Sequence, residues 1–230
     1  MSKIAIIPAR GGSKRIPRKN IRDFMGRPII AYSILTALES DLFDEVMVST
    51  DDEEIAEIAR SYGAKVPFMR TNENSNDYAT TLDVIIEVID WYKKNKRYFD
   101  FGCCLYPTSP LTTTNHLIEG LHLLISKNQK SVFPVTKFNY PIWRGLSINE
   151  NGNVSMIWPE YLSSRSQDLK ETYHDAGQWY WFQVSKVVNE KSLFTDNSTA
   201  LKLPETEVQD IDTETDWEIA ELKFKLLNSK

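Results

Sequence analysis

Six cations crowd thirteen positions near the start of the chain: Arg10, Lys14, Arg15, Arg18, Lys19 and Arg22, with no acid before Asp23. Gly11-Gly12-Ser13 lies inside this run. A glycine turn lets the backbone approach an anion closely and aim its N–H groups at it. Cationic side chains and backbone donors together suit a triphosphate. The run lacks the Gly-Lys-Ser/Thr ending of a P-loop and the third glycine of the dinucleotide fingerprint. Taken by itself, the run also fits a glycine turn followed by solvated charge.

A second constellation lies far down the chain in Asp210-Ile211-Asp212-Thr213. Residues two apart on a strand point the same way, so both carboxylates can face one site. Magnesium suits such a pair, because it takes hard oxygen ligands, keeps several waters and also binds substrate phosphates. The alternative is that these acids decorate a helix N-terminus, where negative charge is favourable. Glu214 and Asp216 are assigned to that helix start.

Elements must position these groups, and the sequence marks them. Ile4 to Ile7 reads as a buried strand and Pro28 as a helix start, with Ile30, Ile34, Ala37 and Leu38 on one face. Val46 to Val48 is the next strand. Thr50 and Glu53 form a capping-box pattern ahead of Ile55, Ile58, Ala59 and Tyr62. Lys65 to Phe68 is expected as a short strand, and Thr81 as the cap of a helix through Leu82, Ile85, Ile86, Ile89 and Tyr92. Phe101 to Tyr106 is a strand, followed by a helix through Leu117, Leu121 and Leu124 and the strand Ser131 to Val135. The segment 137–175 looks like an insertion, with a hairpin turning at Asn151-Gly152. Strands are expected again at Gln178 to Val184 and Val208 to Ile211. Thr215 and Glu218 are expected to open a last helix through Trp217, Ala220, Phe224 and Leu227. This alternation predicts an α/β fold: a Rossmann-like, mostly parallel sheet with helices on both faces. Ligands bind at the carboxyl ends of strands in such sheets, after Ile7, Val48 and Tyr106 here.

Composition bounds the function. The 230 residues carry net charge -5, with 41% hydrophobic and 26% charged residues. A chain this long buries roughly 70% of its unfolded surface and needs no disulfide or metal staple. It has no broad basic excess, which argues against a nucleic-acid partner. The uncharged run before Arg10 is too short for a signal core or a membrane span, so a cytoplasmic protein without a membrane partner is expected. Cys103 and Cys104 are adjacent and should face opposite sides of one strand as reduced thiols. His116, His122 and His174 do not cluster at zinc spacing.

The stretch Ile7-Pro8-Ala9-Arg10-Gly11-Gly12-Ser13-Lys14-Arg15-Ile16-Pro17-Arg18-Lys19-Asn20 resembles the signature loop of cytidylyltransferases that activate sialic and related nonulosonic acids. Ser49-Thr50-Asp51, Asp77-Tyr78-Ala79-Thr80-Thr81, Pro107-Thr108-Ser109-Pro110 and Asp210-Ile211-Asp212-Thr213 resemble further motifs of that family, in the same order. The resemblance implies one nucleotide-diphospho-sugar transferase-type domain over residues 1–230. It implies a reaction of CTP with an acid sugar to give a CMP-sugar and pyrophosphate, with Mg2+ on Asp210 and Asp212.

Carried over residue by residue, Arg10, Ser13, Lys14 and Lys19 hold the triphosphate. Lys19, Arg10 and Asp212 serve the reacting phosphate. Asn20, Arg70, Ala79 and Thr81 line the cytidine pocket, although Arg70 taken alone reads as a surface charge. Arg165 is implied as the clamp for the sugar carboxylate, and Gln178 and Tyr180 as sugar-pocket residues. Relatives that activate sialate commonly carry glutamine where this chain has Tyr106. The stretches 140–144 and 173–178 look most like the branch that handles pseudaminic acid. Trp143, Trp158, Trp179 and Trp181 also fit plain core or dimer packing. The family commonly dimerises through the insertion, which makes a homodimer the expected assembly. Activation of another acid sugar (N-acetylneuraminic, legionaminic or keto-deoxy-octulosonic acid) is one alternative. A nucleotide-binding module without chemistry is another.

Overall fold

The computed structural model describes residues 1–229. Along the chain run β1 (Lys3–Pro8), β2 (Asp23–Phe24), β3 (Arg27–Pro28), α1 (Ile29–Glu39), β4 (Glu45–Ser49), α2 (Glu53–Ser61), α3 (Thr81–Lys94), β5 (Phe101–Leu105) and α4 (Thr114–Ser126). Then come β6 (Ser131–Lys137), β7 (Leu146–Ile148), β8 (Val154–Met156), β9 (Tyr173–Asp175), β10 (Trp179–Gln183), α5 (Val184–Glu190), β11 (Ser198–Lys202) and α6 (Glu214–Asn228). The central sheet has the order β11-β6-β10-β5-β1-β4, with β9 also on β6. Five strands share one direction, and β10 and β9 oppose them. The sheet is therefore mixed but mostly parallel.

Alternation within each strand explains the layers. In β1, Ala5 and Ile7 pack on one face with Ile30 and Ile34 of α1, Ile55 and Ala59 of α2, and Leu117 and Leu121 of α4. Ile4 and Ile6 pack on the other with Ile85, Val88 and Tyr92 of α3 and Val187 of α5. Cys103 and Cys104 divide between the two faces as expected. Both faces are covered, so the strands read as continuous apolar runs. Leu38, expected inward, is exposed at the end of α1. A third cluster, with Ile16, Phe24, Ile29, Ile211 and Trp217, seats α6 against the basic loop and the β2–β3 ribbon. The turn of the β7–β8 hairpin uses Gly152 at φ +78, as the Asn-Gly pair predicts.

Several expected elements differ. Lys65 to Phe68 is a single bridge between Lys65 and Met47, because Pro67 has no N–H to extend a ladder. Val208 to Ile211 is not a strand, although Val208 itself is extended. Three helix caps are also shifted. Asp52, not Thr50, caps α2 by accepting the Ile55 N–H at 3.0 Å. Thr80, not Thr81, caps α3 in a box with Asp83, and Thr213, not Thr215, caps α6 in a box with Asp216. Aspartate supplies the returning carboxylate in both boxes, so a pattern that demands glutamate three residues on misses them. No helix among the described residues is long and apolar enough to cross a membrane.

Candidate active site

The carboxyl ends of β1 and β5 border one cleft of about 640 Å³, whereas the end of β4, also expected there, contributes no lining residue of its own. β1 lies between the other two, so the chain departs from it to opposite sides. That arrangement opens a crevice at the strand ends. Arg10, Ser13, Lys14, Lys19 and Asn20 line the cleft from the loop after β1. Arg70, Ala79 and Thr81 line it from beside α3, and Asp210 and Asp212 from the segment before α6.

Local contacts fix the loop. Gly11 N–H donates to Asp51 Oδ1 at 2.9 Å, and a Cβ on Gly11 would come within 2.8 Å of Asp52 Oδ2. No side chain fits there without moving the carboxylate that caps α2. The buried Asn20 closes the loop by donating Nδ2–H to the Arg10 carbonyl at 2.9 Å. Arg18 sits in the left-handed region at φ 56, which costs roughly 1–2 kcal/mol for a residue with a Cβ. Its guanidinium is bound by Asp52 and Glu54, which hold it in place. Arg22 pairs with Glu214 at 2.7 Å and lies over the Trp217 ring, tying the loop to α6. Two of the six cations thus anchor the loop, and Arg10, Lys14, Arg15 and Lys19 face the cleft.

With Arg70, the wall carries five cations against three carboxylates, Asp77, Asp210 and Asp212. The excess favours a polyanion. Asp77 holds Arg10 at 2.9 Å and also binds Lys14, and Lys14 first and then Arg10 keep its carboxyl below the usual range. Arg70 is buried, donates Nε–H to Ser49 Oγ at 3.0 Å and binds the Ser49 carbonyl. Burial lowers its pKa, and it has no carboxylate at ion-pair distance among the described residues. Its charge is therefore available to a ligand. The Tyr106 hydroxyl meets Thr81 Oγ1 at 3.0 Å, and burial pushes the phenol up to about 12.

The acidic segment is held in an irregular, extended form. Lys19 Nζ donates to the Ile211 carbonyl at 2.6 Å and lies 3.7 Å from Asp212, and Arg15 pairs with Asp212 at 2.7 Å. The Asp210 carboxylate makes no ion pair among the described residues. Crowding by the cleft walls, and then the neighbouring charge of Asp212, raises its pKa. An under-neutralised carboxylate beside a second one suits a divalent cation. No group of three or more His, Cys, Asp or Glu side chains placed to hold an ion occurs among the described residues. Two carboxylates completed by phosphate oxygens and water match what magnesium accepts.

The residues carried over for the sugar do not join this wall. Gln178 is buried beneath it, with Nε2 donating to the Glu207 carbonyl at 2.7 Å. Tyr180 is also buried, and its hydroxyl donates to Asp175 Oδ2 at 2.5 Å. Tyr180 lies in β10 and Gln178 just before it, and neither side chain lines the cleft. Arg165 is exposed in the segment between β6 and β9, away from the cleft lining. Conversely, Asp77 and the cleft-facing role of Arg15 escaped the sequence reading. Asp77 stood inside a quoted motif, and its charge opposite the cationic loop was the available signal. Trp179 and Trp181 are core residues, and Trp143 packs on Trp158 with ring centroids 5.6 Å apart.

A cationic glycine turn facing a carboxylate pair across a strand-end crevice is the layout of an α/β nucleotide-binding protein. Residues 4–215 match the family model described as cytidylyltransferase. The chain is 45% identical over 226 residues to the pseudaminic acid cytidylyltransferase of Campylobacter jejuni subsp. jejuni serotype O:23/36 (strain 81-176), covering 98% of this chain and 97% of the relative. It is 34% identical to the CMP-N,N'-diacetyllegionaminic acid synthase of Legionella pneumophila, covering 98% and 97%. Among solved structures, CMP:2-keto-3-deoxy-manno-octonic acid synthetase complexed with CTP superposes with a TM-score of 0.72, over 100% of this chain and 99% of the other. At 19% identity that likeness bears on the fold alone. The chain belongs to the cytidylyltransferase family.

Proposed function

We propose that this protein transfers CMP from CTP to the anomeric hydroxyl of pseudaminic acid and releases pyrophosphate. The observation that carries the reading is the cleft itself, where the loop cations and the Asp210–Asp212 pair face one another. The 45% identity to a pseudaminic acid cytidylyltransferase supports the choice of sugar.

The mechanism follows from charge. The sugar hydroxyl attacks the α-phosphorus and pyrophosphate leaves in line, so catalysis rests on positioning and neutralisation. Arg10, Ser13 and Lys14 hold the departing phosphates. Lys19, fixed by the Ile211 carbonyl, sits between loop and acidic segment and answers charge at the α-phosphate. Asn20, Arg70, Ala79 and Thr81 are assigned to cytidine. Asp210 and Asp212 are the residues that would hold Mg2+, which when bound neutralises phosphate charge and acidifies the attacking hydroxyl. Arg165 lies outside the cleft of its own chain, so its role as a carboxylate clamp requires a movement of the insertion or the insertion of a second copy. The same reading puts the enzyme in the cytoplasm, with its nucleoside triphosphate.

The test is pyrophosphate release with CTP and magnesium, with several nonulosonic acids in separate wells. Pseudaminic acid is expected to exceed N-acetylneuraminic acid in kcat/KM by more than about a hundredfold. A pocket that only tolerates or rejects one hydroxyl gives roughly that much, and unpaired polar groups add to it. Comparable values for the two sugars sink the choice of sugar. Full turnover in excess chelator sinks the metal.

A further inference from the structure

The segment that carries Asp210 and Asp212 has no strand ladder to hold it, yet its carbonyls are met one after another. Gln178 Nε2 donates to the Glu207 carbonyl at 2.7 Å. Lys223 Nζ, reaching back from α6, donates to the Val208 carbonyl at 2.7 Å and to Gln209 Oε1 at 3.1 Å. His116 on α4 accepts the Thr113 N–H at Nδ1, which leaves Nε2–H to donate to Glu207 Oε2 at 2.9 Å. Beyond the carboxylates, Asp216 Oδ2 accepts the N–H groups of Asp212 and Thr213 at 3.1 and 2.8 Å.

Gln178 and Lys223 are unusual places to spend polar groups. Gln178 is 1% exposed and its Oε1 has no partner, so the residue is retained at the cost of a buried orphan acceptor. Lys223 places an ammonium under a carbonyl and a neutral amide rather than beside a carboxylate, and among the described residues it makes no ion pair. Neither side chain lines the cleft. What they share is the backbone just before Asp210.

We infer that Gln178 and Lys223 are positioning residues, which hold residues 207–209 so that the Asp210 and Asp212 carboxylates reach a metal ion together. The inference rests on the magnesium reading above and extends it to side chains that touch neither metal nor substrate. Contacts that orient metal ligands typically control metal affinity by about 10–100-fold.

The experiment measures Mn2+ binding by electron paramagnetic resonance to the whole protein in the presence of CTP, with thermal melting recorded alongside. Gln178→Met and Lys223→Met are each expected to weaken Mn2+ binding by about tenfold or more while CTP binding without metal stays within about twofold. Lys223→Arg, which keeps a donor, is expected to restore most of the loss. Unchanged Mn2+ affinity in both methionine variants overturns the inference. So does unfolding of both, because the contacts then serve the fold rather than the carboxylates. If only Gln178→Met unfolds, Lys223→Met decides in either direction. Wild-type protein that binds CTP but takes up no Mn2+ overturns the metal reading beneath it, a result distinct from unchanged affinity in the variants.

Discussion

At the scale of single residues, the cleft is a balance of opposed charges waiting for exchange. Lys19 is half-enclosed, and its position is set by the Ile211 carbonyl. Lys19→Ala and Asp212→Asn are each expected to lower turnover by at least about a hundredfold, the scale of losing one transition-state electrostatic contact. Neither side chain fills the core, so circular dichroism should stay native. Near-normal turnover in both removes them from the mechanism. Asp77 has the opposite sign. It already occupies Arg10 and Lys14, and a triphosphate must displace it. Asp77→Asn is therefore expected to tighten CTP binding a few-fold at low salt, with the gain shrinking as salt screens exposed charge. Titration calorimetry at two salt concentrations reads this directly, and weaker binding at low salt would contradict the displacement.

At the scale of elements, helix starts hold the site. Asp52 caps α2 and pins Arg18, and Asp83 and Asp216 close the capping boxes of α3 and α6. All three carboxyls are held below their ordinary range. Arg18 is the main cause for Asp52, and the cap threonines Thr80 and Thr213 for Asp83 and Asp216. A depressed carboxyl contributes stability that is present above its unfolded value and lost as pH falls through its folded one. Stability from these caps should thus hold from neutral pH to about pH 4 and fall below it. Urea unfolding along that range is the measurement, and Thr213→Ala should cost about 1 kcal/mol at pH 7. If Thr213→Ala leaves stability unchanged, the α6 box contributes nothing.

For the whole molecule, the β7–β8 ribbon of the insertion is the part that joins no other strand among the described residues. The β7–β8 ribbon exposes Leu146, Ile148 and Val154, and Leu162 and Tyr140 lie exposed in the same segment. A two-stranded ribbon is marginal in water and needs a surface. A homodimer through this segment is the proposed assembly. Light scattering at micromolar concentration should give twice the chain mass, and Ile148→Glu should shift it to the monomer. Wild-type protein that scatters only as a monomer rejects the proposal.

What the sequence determined by itself was whatever depends on near neighbours. The continuous apolar run Ile4 to Ile7 predicted a strand buried on both faces, and Asn151-Gly152 predicted the hairpin turn. The run from Arg10 to Lys19 marked a candidate anion site, because charge and glycine content are properties of composition. The cap positions were off by one or two residues: Asp52, Thr80 and Thr213 cap where Thr50, Thr81 and Thr215 were expected. Tertiary structure decided which charges face the cleft. Arg18 and Arg22 are as cationic as Arg10, yet Asp52, Glu54 and Glu214 claim them from other elements. It also decided that Gln178 supports the acidic segment from below instead of lining the wall, and that residues 208–211 carry their carboxylates without a ladder. Those outcomes depend on side chains distant in sequence competing for the same donors and space, and that competition is settled only when the sheet and its helices close.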